Sequence, residues 1–303
     1  MSKRITLAFL GLMLISVAAQ GKKETVPVFI VAGQSNTDGR VPIEDLPSYI
    51  TPDSYRYCHW SYGSGEHSGN GQFEQFWPRT CFEKRPQAWA YDAIVYYLLG
   101  QSLQQDFYVI KESLGGTAIS TNARKSTNGM FWCASEKWLS ANDAADHGGK
   151  SLIKAFTNNI DACIDQQLSK LKQGYDIKAF LWHQGESDVS MPGSYQKNLK
   201  TLIDYVRRHL VEKTGNGKYA RLPVIIGSIP HASKGYSAKI ETAQRNLADE
   251  DSDIWFVDIH DAPLLSDRLH LNAEGAELLG RKVFGQLTEI GVTAMRRQTS
   301  YRH

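Results

Sequence analysis

The stretch Val26-Pro27-Val28-Phe29-Ile30-Val31-Ala32, running straight into Gly33-Gln34-Ser35-Asn36, decides how this 303-residue chain is read. A near-continuous apolar run without polar alternation reads as a strand buried on both faces, the kind found in parallel sheets covered by helices. Four further runs have the same character: Phe107-Tyr108-Val109-Ile110, Ala179-Phe180-Leu181-Trp182, Pro223-Val224-Ile225-Ile226 and Ile254-Trp255-Phe256-Val257. Helical patterns follow them at 87–101, 150–172, 194–213, 237–249 and 273–290. Alternation of this kind predicts an α/β domain with a parallel sheet between helical layers. Two stretches break the rhythm, 37–86 with its Gly, Pro, Ser and aromatic residues and 117–149 with its Asn, Ser, Ala and Trp. Loops this long are functional or hold small elements of their own.

The bulk numbers fit that frame. With 42% apolar and 22% charged residues the chain is globular, and its length suits one large α/β domain or two small ones. The rhythm reads as a single domain over 21–303, with its core at about 27–287, preceded by a signal peptide over 1–20. In MSKRITLAFLGLMLISVAAQ, Lys3 and Arg4 form a positive start, Ile5 to Ala19 an apolar run, and Val17-Ala18-Ala19 a small-residue cleavage site. The run is short for a membrane span, which needs roughly 20 apolar residues. The bland alternatives are an uncleaved anchor or a buried N-terminal strand. Removing the segment takes away two of the 34 basic residues and none of the 32 acidic ones, so the exported chain is formally neutral. No nucleic-acid partner is therefore expected, and the basic end RRQTSYRH reads as a frayed tail. The expectations are a secreted or periplasmic location, no membrane association after signal cleavage, and a monomer. Cys58, Cys81, Cys133 and Cys163 allow three full pairings; Cys58 with Cys81 is favoured because both sit in a loop-rich region. No CxxC spacing supports a zinc or redox site.

In open parallel sheets ligands bind beyond the carboxyl ends of the strands, so the chemistry is sought just after each apolar run. After the first comes Ser35, on a strand-to-helix turn where local N–H groups can face a developing oxyanion. Turn and helix-capping serines are common, so Ser35 alone is a weak signal. After the second comes Ser113-Leu114-Gly115-Gly116-Thr117, whose glycines let backbone N–H groups approach a ligand or simply make a tight turn. After the third comes His183-Gln184-Gly185-Glu186-Ser187-Asp188. Its spacing lacks the second histidine of a zinc signature, so no metal is expected, while the Gln184 amide can donate to an oxyanion. After the last come Asp267-Arg268-Leu269-His270-Leu271-Asn272, with Asn272 as the N-cap of the following helix. At that spacing Asp267 can hold the His270 Nδ1–H and leave Nε2 free to take a proton from a serine. Each signal has an ordinary structural reading. Their joint position at the ends of four strands is what points to nucleophilic catalysis.

GQSN at 33–36, GGT at 115–117, HQGESD at 183–188 and DRLHLN at 267–272 resemble the four blocks of an SGNH hydrolase. More narrowly, FIVAGQSN and WHQGESD resemble the sialate O-acetylesterase-like branch, which includes the acetylxylan esterases of carbohydrate esterase family six. The resemblance extends from about Pro27 to Leu287. It implies a three-layer α/β/α, flavodoxin-like fold with a five-stranded parallel sheet. It also implies removal of acetyl groups from sugars by a serine mechanism without cofactor or metal. By position, Ser35 matches the nucleophile, His270 the base and Asp267 its partner. The N–H groups of Ser35 and of Gly116, preferred to Gly115, would form the oxyanion hole together with Gln184. Gln184 stands where the wider superfamily carries Asn, and the extra methylene changes its reach. Asn36, Glu186 and Asp188 are expected to bind or support, with Glu186 bracing the loops around Ser35 and His270.

An acetylated carbohydrate is the expected partner. Trp60, Tyr62, Phe73, Phe76 and Trp77 in one loop and Phe131, Trp132 and Trp138 in another could stack on sugar rings, or could form a small core beneath the loops. Two rival functions remain open at this level: a broader carboxylic ester hydrolase on the same fold, and a carbohydrate-binding protein without catalysis. The complete Ser35, Asp267 and His270 set argues against the second, because a binding module has no use for it.

Overall fold

The computed structural model describes residues 24–63, 70–78 and 87–293. The expected signal segment, Cys81 and the basic C-terminal end lie outside the described residues. In chain order the elements are β1 (Val26–Gly33), α1 (Ser35–Asp38), β2 (Val41–Pro42), β3 (Cys58–Tyr62), β4 (Glu74–Gln75), β5 (Ala88–Trp89), α2 (Tyr91–Leu103), β6 (Phe107–Ser113), α3 (Glu136–Ala141), α4 (Leu152–Gln166), β7 (Tyr175–His183), α5 (Tyr195–Thr214), β8 (Val224–Gly227), α6 (Ala238–Glu250), β9 (Ile254–Val257) and α7 (Ala273–Glu289), with short 3-10 turns between them.

The main sheet runs β4-β3-β6-β1-β7-β8-β9. Every neighbouring pair is parallel except β3 with β4. β2 and β5 form a separate two-stranded ribbon. The five strands expected from the apolar runs are β1, β6, β7, β8 and β9. The sheet nevertheless has seven strands, not five. β3 was hidden because Cys-His-Trp-Ser-Tyr is no apolar run and lies in a Gly- and Ser-rich stretch. Its strand form comes from pairing with β6, Cys58 opposite Phe107 through Tyr62 opposite Lys111. β4 is two exposed polar residues that pair only with β3.

All eight residues of β1 are buried, and its alternate side chains feed two different cores. Val28, Ile30 and Ala32 pack with Phe156 of α4, Leu199 of α5 and Ile240 of α6. Phe29 and Val31 pack with Ile94 of α2 and Leu279 of α7. This is the three-layer α/β/α arrangement, and it explains why the strand shows no polar alternation. Each large side chain so buried is worth about 1.5–3 kcal/mol relative to exposure, so the central strands carry much of the driving force.

The aromatic residues of the long loops resolve mostly in favour of the core. Trp60, Tyr62, Phe76 and Trp132 are buried, and Trp132 meets Trp182 edge-on at 5.4 Å between ring centroids. They are unavailable for stacking on a sugar. Trp77 is exposed and leans on Tyr55. Among the described residues Cys58, Cys133 and Cys163 are free thiols, Cys58 and Cys163 buried. Burial pushes the Cys163 thiol up to about 12 and Cys58 well above its ordinary value, so neither is a ready nucleophile.

The register of the three central strands positions the site. Gly33 at the end of β1 lies level with Ser113 of β6 on one side and His183 of β7 on the other. The chain builds to one side of β1 before β6 and to the other side after it. The segments that follow β1, β6 and β7 therefore emerge together at a topological switch point, where open α/β sheets bind ligands.

Candidate active site

At the end of β1 the backbone approaches β7 too closely for any side chain. A Cβ on Gly33 would stand 2.2 Å from the His183 carbonyl oxygen. That same oxygen accepts from the Gln34 N–H and the Thr37 hydroxyl. The Gln34 carbonyl accepts from the N–H groups of Thr37 and Asp38 and closes the single turn of α1. Ser35 is the first residue of that turn and is 4% exposed. Its own N–H and those of Gly115 and Gly116 have no acceptor among the described residues. Donors left open at the mouth of a buried turn are suited to a negatively charged oxygen.

His270 reaches this serine from the segment between β9 and α7. Its Nε2 lies 3.0 Å from Ser35 Oγ and its Nδ1 2.6 Å from Asp267 Oδ2. A carboxylate only accepts, so the proton sits on Nδ1 and Nε2 is left as the acceptor for the serine hydroxyl. Asp267 Oδ1 takes the N–H groups of Leu269 and His270. Burial pushes the Asp267 carboxyl up, but these N–H groups and the imidazole outweigh it and hold the pKa below the ordinary carboxylate value. The turn is tight: Arg268 has φ 57°, a left-handed conformation, and the chain closes with Leu265 N–H donating to His270 O. Asn272 caps α7 by accepting from the Gly275 N–H at 2.9 Å, as its position just before the helical pattern implied.

Asn36 joins the two halves of the site. Its Oδ1 accepts from the Leu271 N–H at 3.0 Å, and its Nδ2 donates to Glu186 Oε1 at 2.8 Å. The amide thus ties the residue after Ser35 to the residue after His270, and Glu186 fixes which way it faces. Asp188 acts on the neighbouring loop: it is wholly buried and accepts from the N–H groups of Ile119 and Ser120 and from the Gln184 amide. Burial raises its pKa, and these donors only partly offset the rise.

One expectation requires correction on geometry. Gln184 is fully buried, and its Nε2 donates to Thr117 O at 3.1 Å and Asp188 Oδ2 at 2.7 Å. Turning the amide over would set its oxygen against both acceptors, so this orientation is fixed and neither N–H is left for a ligand. Of the two glycines, Gly115 rather than Gly116 packs on the serine. A Cβ on Gly115 would lie 3.3 Å from Ser35 Cβ, whereas one on Gly116 would meet only Thr127 Oγ1.

Arg40 was not anticipated. Its Nη1 donates to Asp38 Oδ2 at 2.9 Å and to the Gly39 carbonyl, and its Nη2 lies beside Gly115. A cation four residues beyond Asn36 was visible in the sequence, but only the turn of α1 brings it back to the serine. Trp132, for which both a sugar platform and a small core beneath the loop were open, takes the second role and braces the glycine loop, its indole N–H donating to Thr117 Oγ1.

Residues 110–289 match the family model described as "Carbohydrate esterase, sialic acid-specific acetylesterase". A probable carbohydrate esterase of Arabidopsis thaliana is 38% identical over 112 residues, a match that takes in 36% of this chain and 39% of that relative. The crystal structure of the same plant protein superposes with a TM-score of 0.60 at 22% identity, covering 88% of this chain and 99% of that one. NanS also gives 0.60, at 12% identity and with 89% and 98% covered. A carbohydrate acetylesterase from Xanthomonas citri gives 0.50, at 14% identity and with 87% and 57% covered. At these identities the superpositions speak for a shared fold.

Proposed function

The chain belongs to the carbohydrate esterase, sialic acid-specific acetylesterase family, and from that premise we propose that it is an exported esterase that removes acetyl groups from sugars by a Ser35-His270-Asp267 mechanism. The observation that carries the reading is the continuous hydrogen-bonded chain from Asp267 through His270 to Ser35, at 2.6 and 3.0 Å. Nucleophile, base and orienting carboxylate need just these contacts.

In the first step Ser35 Oγ forms a bond to the acetyl carbonyl carbon and gives its proton to His270 Nε2, while the carbonyl π pair moves onto oxygen. The unfilled N–H groups of Ser35 and Gly115 are suited to receive that oxygen. The tetrahedral species then breaks its bond to the sugar oxygen, which leaves with the proton from His270. Water gives a proton to His270 as its oxygen bonds to the acetyl carbon; the bond from that carbon to Ser35 Oγ then breaks, Oγ takes the proton back from His270, and acetate leaves. Asp267 stays ionised and holds the imidazolium in place. Asn36 and Glu186 are positioning residues that keep the Ser35 and His270 backbones at a fixed separation.

The substrate is an acetylated carbohydrate, with acetylated sialic acid and acetylated xylan as the two sugars to separate. Acetate release from each, beside p-nitrophenyl acetate, tests the proposal. The reading expects turnover of at least one sugar that exceeds turnover of the aryl ester. Hydrolysis of aryl and alkyl esters alone would replace it with a broader carboxylic ester hydrolase.

A further inference from the structure

We propose that Arg40 supplies the side-chain donor of the oxyanion site, the part that the sequence assigned to Gln184. The proposal rests on the reading of Ser35 as nucleophile. Gln184 has no N–H to spare, since both are held by Thr117 O and the Asp188 carboxylate. Arg40 has what Gln184 lacks. One arm of its guanidinium is anchored: Nη1 donates to the Gly39 carbonyl and to Asp38, whose side chain is wholly buried. The other arm, Nη2, has no acceptor among the described residues. It lies 2.2 Å from the point where a Cβ on Gly115 would stand, and Ser35 Cβ lies 3.3 Å from that same point. Absence of a side chain at Gly115 is therefore what lets the free arm reach the gap beside the nucleophile.

The chemistry suits a guanidinium. It is planar and remains charged at any working pH, so one nitrogen can be fixed by a carboxylate while another presents its N–H to a ligand. The Arg40 side chain is 20% exposed, open to a substrate yet partly removed from water, where a fixed positive charge acts more strongly on a nearby developing anion. When the Ser35 Oγ–carbon bond forms, the charge on the carbonyl oxygen appears next to three donors: Ser35 N–H, Gly115 N–H and Arg40 Nη2–H. Arg40 keeps its proton throughout, and the proton relay through His270 is unaltered.

The test uses the full chain with Arg40→Ala, Arg40→Gln and Arg40→Lys, assayed on p-nitrophenyl acetate, acetylated xylan and acetylated sialic acid. Loss of one oxyanion donor should lower kcat about 10²–10³-fold in the Ala and Gln variants on all three substrates. KM for the neutral aryl ester should stay within about threefold of the parent, as for an interaction made only in the transition state. Binding of a boronic acid, whose adduct on Ser35 carries the same charge, should weaken in parallel. Arg40→Lys should recover part of the loss, and it decides the matter if the other two fail to fold. Retention of kcat on the aryl ester would overturn the proposal. So would a KM increase confined to sialic acid, because Arg40 would then be binding the sugar carboxylate. Ser35→Ala separates the two layers: an active Ser35→Ala chain defeats the nucleophile reading itself, whatever Arg40 does.

Discussion

His270 holds the site together at the residue scale, with Nε2 3.0 Å from Ser35 Oγ and Nδ1 2.6 Å from Asp267. Asp267→Asn keeps the shape but offers an N–H where the imidazole needs an acceptor, so the ring turns to the wrong tautomer. Turnover should fall about 10⁴-fold with little change in KM. Because the Asp267 carboxyl is held below its ordinary range, it remains ionised while His270 takes up its proton. The acid limb of kcat/KM should therefore show a single ionisation, and a limb of slope two would contradict this assignment. One bond further out, Glu186→Ala frees the Asn36 amide that links the two loops. Misplacing the base by about 1 Å costs on the order of 10²-fold in kcat, and Glu186→Gln, which still offers an acceptor, should restore most of it. Equal losses in both variants would assign Glu186 a role other than orienting Asn36.

Among the elements, the loop after β6 depends on one buried carboxylate. Asp188 takes three donors, and Asp188→Ala leaves the N–H groups of Ile119 and Ser120 and the Gln184 amide short of partners. Each unmet buried donor costs roughly 1–3 kcal/mol, set against relief of a carboxylate that burial already disfavours, so a loss of about 3 kcal/mol is expected in urea unfolding. A change under about 1 kcal/mol would mean that water or a shifted loop meets those groups. Asn272→Ala removes the cap of α7 and should cost about 1 kcal/mol. After β9, Asp258 accepts from the His260 N–H and from Arg245 of α6. Burial pushes its pKa up, but the His260 N–H, Arg245 and the His260 ring hold it at about 2, below the ordinary 3.8. Its contribution to stability is complete above the ordinary carboxylate range and is lost as pH falls from there towards 2. Melting temperatures of Asp258→Asn should accordingly depend less on pH across that window than those of the parent chain.

For the whole molecule, the sequence made legible what its physics repeats along the chain. The five strands announced themselves as apolar runs without alternation, most completely in β1 and β8, and helical patterns filled the stretches around them. Ser35, Asp267 and His270 stood out because each follows a strand end. What stayed hidden depends on partners far away in sequence. β3 is a strand because β6 pairs with it, Trp132 is core because Trp182 meets it, and Gln184 faces inward because Asp188 and Thr117 claim its amide. Arg40 matters only through the turn of α1 and the missing side chain of Gly115. Export rests on residues 1–20 alone, and N-terminal sequencing of the secreted or periplasmic protein should find a chain that begins at about Gly21. The central claim is that Ser35 is the nucleophile. Treatment with a fluorophosphonate, followed by peptide mass spectrometry, tests it most directly. The account predicts one adduct, on Ser35, formed in step with loss of acetate release and absent from His270→Ala under the same exposure. An adduct on another residue, or full acetate release from a chain modified at Ser35, would contradict it.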